Sequence, residues 1–181
     1  MSASHVLRFA PFMHAVGAAL LALAVLPCHA DEPLKLNPFN DPFVSAVHGL
    51  PACPEPRGPA YTDAEIRQEA HGRAERGTTC WLQGRCSEPN AYRYDARIAQ
   101  AAVDALRGEP LLAGSSISVV AERRFIYLQG CVADAAQASR AEALAKSVKD
   151  VEIVIPMLAL PGEAPRYPCR TKDASTPTGC R

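Results

Sequence analysis

Six cysteines, Cys53, Cys80, Cys86, Cys131, Cys169 and Cys180, are the residues of this chain best equipped for chemistry. They could bridge in pairs, bind a structural metal, or supply a thiolate nucleophile. No pair has the two-to-four-residue spacing of a structural zinc site. Only His48 and His71 lie outside the N-terminal 30 residues, so metal binding is not expected. The stretch Gly77-Thr78-Thr79-Cys80-Trp81 is faintly like the surroundings of a cysteine-protease nucleophile, which needs a histidine to activate it. His71 sits nine residues upstream on a polar segment and His48 in a proline-rich one, and the companion cysteine of such a motif is missing. No glycine-rich phosphate loop or nucleophile elbow occurs. Disulfides are the better reading: no catalytic residues, no cofactor and no metal are expected.

Bridging requires an oxidising compartment, and the first 30 residues predict one. Arg8 precedes an apolar run from Val16 to Leu26, too short to span a bilayer and closed by Cys28-His29-Ala30. That pattern is a secretory signal peptide, with cleavage expected near Ala30. Lipidation at Cys28 is the competing reading, disfavoured by Pro27 where processing wants a small flexible residue. The chain is therefore expected to be periplasmic or secreted. Without Cys28 six cysteines remain, an even number that suits three disulfides. No later apolar run is long enough for a transmembrane segment. Losing Arg8 leaves 18 of the 19 basic side chains against 19 acidic ones. No net field draws such a chain to nucleic acid.

Prolines cluster at 33, 38, 42, 51, 54, 56 and 59 and again at 161, 165, 168 and 177, so a periodic centre lies between two irregular arms. The chain divides into a signal peptide (1–30), a proline-rich extended arm (31–61) mostly without regular structure, a polar helix with a cysteine-bearing linker (62–92), a central domain (93–160) and a tail (161–181). Thr62 and Glu65 form a capping box, and Gly77 is expected to end a helix over 63–76 that leans on the body through Ile66, Ala70 and Ala74. Phe39 and Phe43 are expected to pack from two proline turns, and Trp81 to be a packing residue beside a disulfide.

In the centre, Asp95 can cap a helix with Ile98, Ala102, Ala105 and Leu106 on one side. Ile117, Val119 and Ala121 alternate in a strand, and Glu122-Arg123-Arg124 turns into a second strand, Phe125 to Val132. Asp134 and Gln137 make another capping box before a helix lined by Ala141, Leu144, Ala145 and Val148. A last strand presents Val154, Leu158 and Leu160, with Pro156 marking an edge or a bulge.

This αββαβ order resembles the BON domain, a module of exported bacterial proteins that include osmotically induced periplasmic ones. The similarity rests on Asp95 and Ile98, on Ile126, Leu128, Gly130 and Val132, on the alanine-rich second helix, and on Val151, Val154, Leu158 and Leu160. Two sites depart from the family's pattern: the turn Arg123-Arg124, often glycine or asparagine, and Asp150, commonly glycine. The resemblance implies an α+β fold, a three-stranded sheet with two helices on one face, and no known active site. It also implies a non-catalytic module that associates with phospholipid or docks an envelope protein, in envelope integrity or stress response.

With both helices on one face, Phe125, Tyr127, Gln129 and Cys131 lie on the other, and the arms are its natural cover. A Cys131–Cys86 bridge is the first choice, since Ser87 to Tyr94 can extend roughly 26 to 29 Å. Cys53–Cys80 and Cys169–Cys180 complete that set; Cys80–Cys86 with Cys53–Cys131 is its chief rival. Six basic residues, Arg93, Arg97, Arg123, Arg124, Lys146 and Lys149, fall at one end of the sheet and are candidate contacts for anionic phospholipid. Asp95, Glu122, Asp150 and Glu152 lie among them, and a solvated rim is the plainer reading. A protein-docking subunit of an envelope or secretion assembly is the alternative function.

Overall fold

The computed structural model describes residues 32–170. In chain order they form β1 (Lys35–Leu36), β2 (Phe43–His48), β3 (Ala60–Tyr61), α1 (Asp63–Leu82), α2 (Asp95–Arg107), β4 (Ser116–Glu122), β5 (Phe125–Cys131), α3 (Ala135–Ser147) and β6 (Ile153–Ala159). From α2 onward the order is αββαβ, as the pattern requires. β4 and β5 form an antiparallel hairpin, and the α3 crossover returns β6 parallel to β5. Ile98, Ala99, Ala102, Val103 and Leu106 of α2 and Ala141 and Ala145 of α3 face Ile117, Val119, Ala121, Ile126, Leu128, Val154 and Leu158 of the sheet. Truncating one of the large residues, such as Leu128, to alanine costs about 2 to 5 kcal/mol.

The sheet has four strands, in the order β2-β4-β5-β6, because the N-terminal arm contributes β2. Within residues 31–61, expected to be mostly irregular, Phe43–His48 pairs antiparallel with β4. Strict alternation fails there because the register shifts between Ser45 and Val47, so buried Ala46 breaks the period of two. Arg107 donates to the carbonyls of Ser45 and Ala46 at 2.8 and 3.1 Å and covers that edge. At the opposite edge β6 carries Pro156, which cannot donate to another strand. Both edges are thus guarded against adventitious pairing.

Helix α1 runs past the expected stop at Gly77 to Leu82. Gly77 is buried, and a Cβ there would lie 2.6 Å from the Asn90 side chain, so the glycine admits a neighbour rather than ending the helix. The Thr62–Glu65 capping box is present. Docking uses Ile66, Glu69, Arg73, Gly77 and Cys80 rather than Ile66, Ala70 and Ala74, since Ala70 and Ala74 are exposed. Arg73 donates to both carboxylate oxygens of buried Asp41, at 2.8 and 2.5 Å, and lies over the rings of Phe39 and Tyr92. Burial opposes its charge, but Asp41 and Glu122 more than offset this, and its pKa is raised. Phe39 also meets Tyr61 edge-on, so that aromatic does pack on the body.

Two further sites differ in detail. The residue before α2 is Tyr94, in a short 3-10 turn, and its side chain makes no cap. Asp95 instead reaches across to the β4–β5 turn, where its two oxygens accept the backbone N–H groups of Arg123 and Arg124 at 2.7 Å each. Those arginines are left-handed, with φ of 54° and 67°, the geometry for which glycine and asparagine are favoured. Asp150, at φ 72°, takes the same conformation before β6.

Candidate functional site: the covered sheet face and the basic end

Each strand of the hairpin turns its second set of side chains away from the helices, and most of that outer face is covered. β2 ends with His48 opposite Ser116, and Ser116 stands opposite Cys131. Leu50 exchanges two hydrogen bonds with the Ser116 hydroxyl, so the chain passes directly over the end of β5. There Cys53 bridges Cys131, with Cα atoms 5.7 Å apart. Cys80 bridges Cys86, with Cα atoms 5.4 Å apart, because α1 extends to Leu82 and Arg85 N–H returns to the Cys80 carbonyl. These are the two bridges of the rival set; Cys86–Cys131 and Cys53–Cys80 do not form. Cys169 is also disulfide-bonded, while Cys180 lies outside the described residues.

The tail completes the cover. Arg57 N–H donates to the Pro168 carbonyl and Arg170 N–H to that of Glu55, making a small ladder between strap and tail. Tyr167 is fully buried beneath it, donates to the Pro54 carbonyl at 2.8 Å and touches the sulfurs of Cys53 and Cys131. Burial pushes its hydroxyl up to about 12. Beside the strap a cleft of about 650 Å³ remains, lined by Phe43, Ser45, His48, Pro54, Ser118 and Arg170, among others.

At the other end of the sheet, the loop after α1 packs against the β4–β5 turn. Tyr94 accepts the backbone N–H groups of Ser87 and Glu88 at 2.9 Å and fixes this loop. Arg124 donates from Nε to the Asp150 carbonyl and from Nη1 to the Cys86 sulfur, and stands 3.5 Å from Glu152; its side chain is 13 % exposed. Arg97 stacks on Tyr94 and pairs with Asp150, and Arg93 pairs with Glu88. Arg123 lies over the Phe125 ring. Lys149 is exposed two residues beyond α3, whereas Lys146 pairs with Glu142 within that helix.

Five of the six expected basic residues, Arg93, Arg97, Arg123, Arg124 and Lys149, therefore gather around one end, with Arg124 largely internal, while the sixth, Lys146, is engaged by Glu142. Sequence reasoning missed Arg85, which joins the group through Glu152 at 3.7 Å. It also misjudged Trp81. Trp81 and Leu82 are 48 % and 73 % exposed in the last turn of α1, so neither is a packing residue. A helix that ended at Gly77 would have left both in a linker, and that early stop concealed them.

His71 is on the α1 surface 3.3 Å from Glu75, and Cys80 is held as a disulfide rather than a thiol. Among the described residues no helix is long and apolar enough to cross a membrane, and no group of three or more His, Cys, Asp or Glu could hold a metal. The expected signal peptide and Cys28 lie outside the described residues. No curated protein matches the chain. Residues 94–161, from the turn that precedes α2 to two residues past β6, match the family model of the BON domain.

Proposed function

We infer that the association of BON domains with phospholipid and with envelope proteins extends to this chain, whose disulfides suit an extracytoplasmic setting. We propose that this is an exported periplasmic protein, cleaved near Ala30, that binds an anionic phospholipid surface through the end bearing Arg85, Arg93, Arg97, Arg123 and Lys149. The carrying observation is the grouping of those cations around the β4–β5 turn, with Glu88, Glu122, Asp150 and Glu152 as the neighbouring surface carboxylates. Asp95 is buried and two backbone N–H groups occupy it, so it subtracts little from the field outside. Support of envelope integrity, without catalysis, follows from such attachment.

Flotation with phosphatidylglycerol vesicles at low salt tests this reading. Each basic residue near an anionic surface contributes about 1 kcal/mol. Replacing Arg93, Arg123 and Lys149 together by glutamine should therefore weaken binding on the order of 100-fold. Equal binding by the triple variant, or none by the wild type, defeats the proposal. Arg124 is the wrong residue to test, because its loss would unlock the turn. Docking a partner's strand on the sheet has weaker support: Ile153 is exposed on β6, yet Pro156 and Arg107 guard the two edges.

A further inference from the structure

Among the described residues Trp81 and Leu82 are two of six large apolar side chains left exposed, and they stand side by side in the last turn of α1. Helix α1 could have ended before them. Instead it continues beyond Gly77 to Leu82, and three residues, 83–85, then return the chain to Cys86 and its disulfide with Cys80. Gln83 N–H caps on the Thr79 carbonyl, Gly84 N–H on that of Trp81, and Arg85 N–H on that of Cys80. The sulfur of Cys86 accepts from Arg124 at 2.9 Å, which ties the loop to the turn. A covalently closed tip thus holds an indole and an isobutyl group outward beside Arg85, next to the cations described above.

We infer that Trp81 and Leu82 form a membrane-inserting tip, with the indole at the headgroup level of an anionic bilayer and Leu82 at the edge of the acyl region. This rests on the phospholipid reading and deepens it. The basic residues attract the surface, and the tip converts adsorption into shallow insertion. Charge complementarity selects a lipid surface as occupant: an apolar pair in the disulfide-closed loop that carries Arg85, which reaches the basic end through Glu152, matches the boundary between acyl chains and anionic headgroups. The disulfide keeps the pair ordered before contact, so little freedom is lost on insertion. The tip lies on α1, outside residues 94–161, so it belongs to this chain's flank rather than to the BON segment.

Trp81 is the chain's single tryptophan, so its fluorescence reports on the tip alone. The oxidised mature protein is mixed at low salt with phosphatidylglycerol vesicles, with and without lipids carrying a doxyl quencher near the headgroup end of the acyl chain. Binding is measured in parallel by flotation. The expected result is a blue-shifted emission quenched by the shallow doxyl lipid. Leu82→Ser should keep the fold and weaken partitioning on the order of 10-fold, most visibly at high salt where the arginines are screened. Flotation with an unshifted, unquenched tryptophan overturns the tip and leaves the basic end standing. Absence of flotation overturns both. Wild-type affinity in Leu82→Ser also overturns insertion.

Discussion

Replacing Asp95 by asparagine separates two physical contributions of one buried carboxyl. Asp95 is 2 % exposed, and its oxygens accept the Arg123 and Arg124 N–H groups at 2.7 Å. Burial, more than any other influence, pushes its pKa up from 3.8 to about 6; the two N–H groups pull it down, and Asp41 and Glu122 push it further up. The unfolded chain titrates near 3.8 and the folded one near 6, so between these values the folded state binds a proton that the unfolded state lacks. This group's stabilisation is complete below about pH 4 and disappears as pH rises through 6. The shift corresponds to roughly 3 kcal/mol at 1.36 kcal/mol per unit. Asparagine does not titrate and, offering one oxygen where two N–H groups point, leaves one backbone donor opposed, a penalty of about 1 to 3 kcal/mol. Urea unfolding of both proteins at pH 4, 5, 6 and 7 gives a difference in which the carboxylates remote from Asp95 cancel, leaving its own titration and its coupling to Asp41 and Glu122. Wild type minus Asp95→Asn should shrink by about 2 kcal/mol from pH 4 to pH 7, because the unfolded carboxyl is already partly ionised at pH 4. A difference independent of pH, or one that grows with pH, refutes the reasoning.

Gly130 and Gly84 form a matched pair. A Cβ on Gly130, at φ 146°, would stand 1.9 Å from the Ser116 carbonyl oxygen, whereas Gly84, at φ 68°, has open space. Gly130→Ala should cost about 3 kcal/mol or more and Gly84→Ala about 1 kcal/mol, read as thermal midpoints; equal losses contradict the close β4–β5 approach. Arg73→Met leaves Asp41 buried and unpaired and should cost about 3 kcal/mol in denaturant unfolding, part of which returns when Asp41→Asn is added. Opening Cys53–Cys131, with a sequence separation of 78, removes about 4 kcal/mol of chain-entropy stabilisation, against about 2 for Cys80–Cys86, separated by 6. Paired alanine variants should follow that order in chemical denaturation, with new proteolytic cutting near residue 53 only when the longer bridge is absent.

The central αββαβ order was legible because Ile117, Val119, Ile126 and Leu128 alternate cleanly and two helices carry apolar faces at helical spacing. Strand β2 was not, because a bulge at Ala46 interrupts its period and prolines bracket it. That omission also decided the disulfides. Without β2 beside β4 nothing shows that Cys53 passes over Cys131, and a glycine read as a helix stop hid the short return from Cys80 to Cys86. The basic end was partly legible: the cations could be placed by connectivity, but not the internal use of Arg124. Asp95 was read as a local cap, since a carboxylate at a helix start gives no local sign that it serves a turn 28 residues away.

Attachment to phospholipid through the end that carries Trp81, Arg85, Arg97 and Arg123 is tested most directly by amide NMR with vesicles bearing a paramagnetic headgroup. Broadening centred on residues 81–86, 93, 97, 123 and 149 is the expected pattern. Broadening centred instead on Leu111 and Ala133, at the far end of the sheet, or none at all on bound protein, contradicts the account.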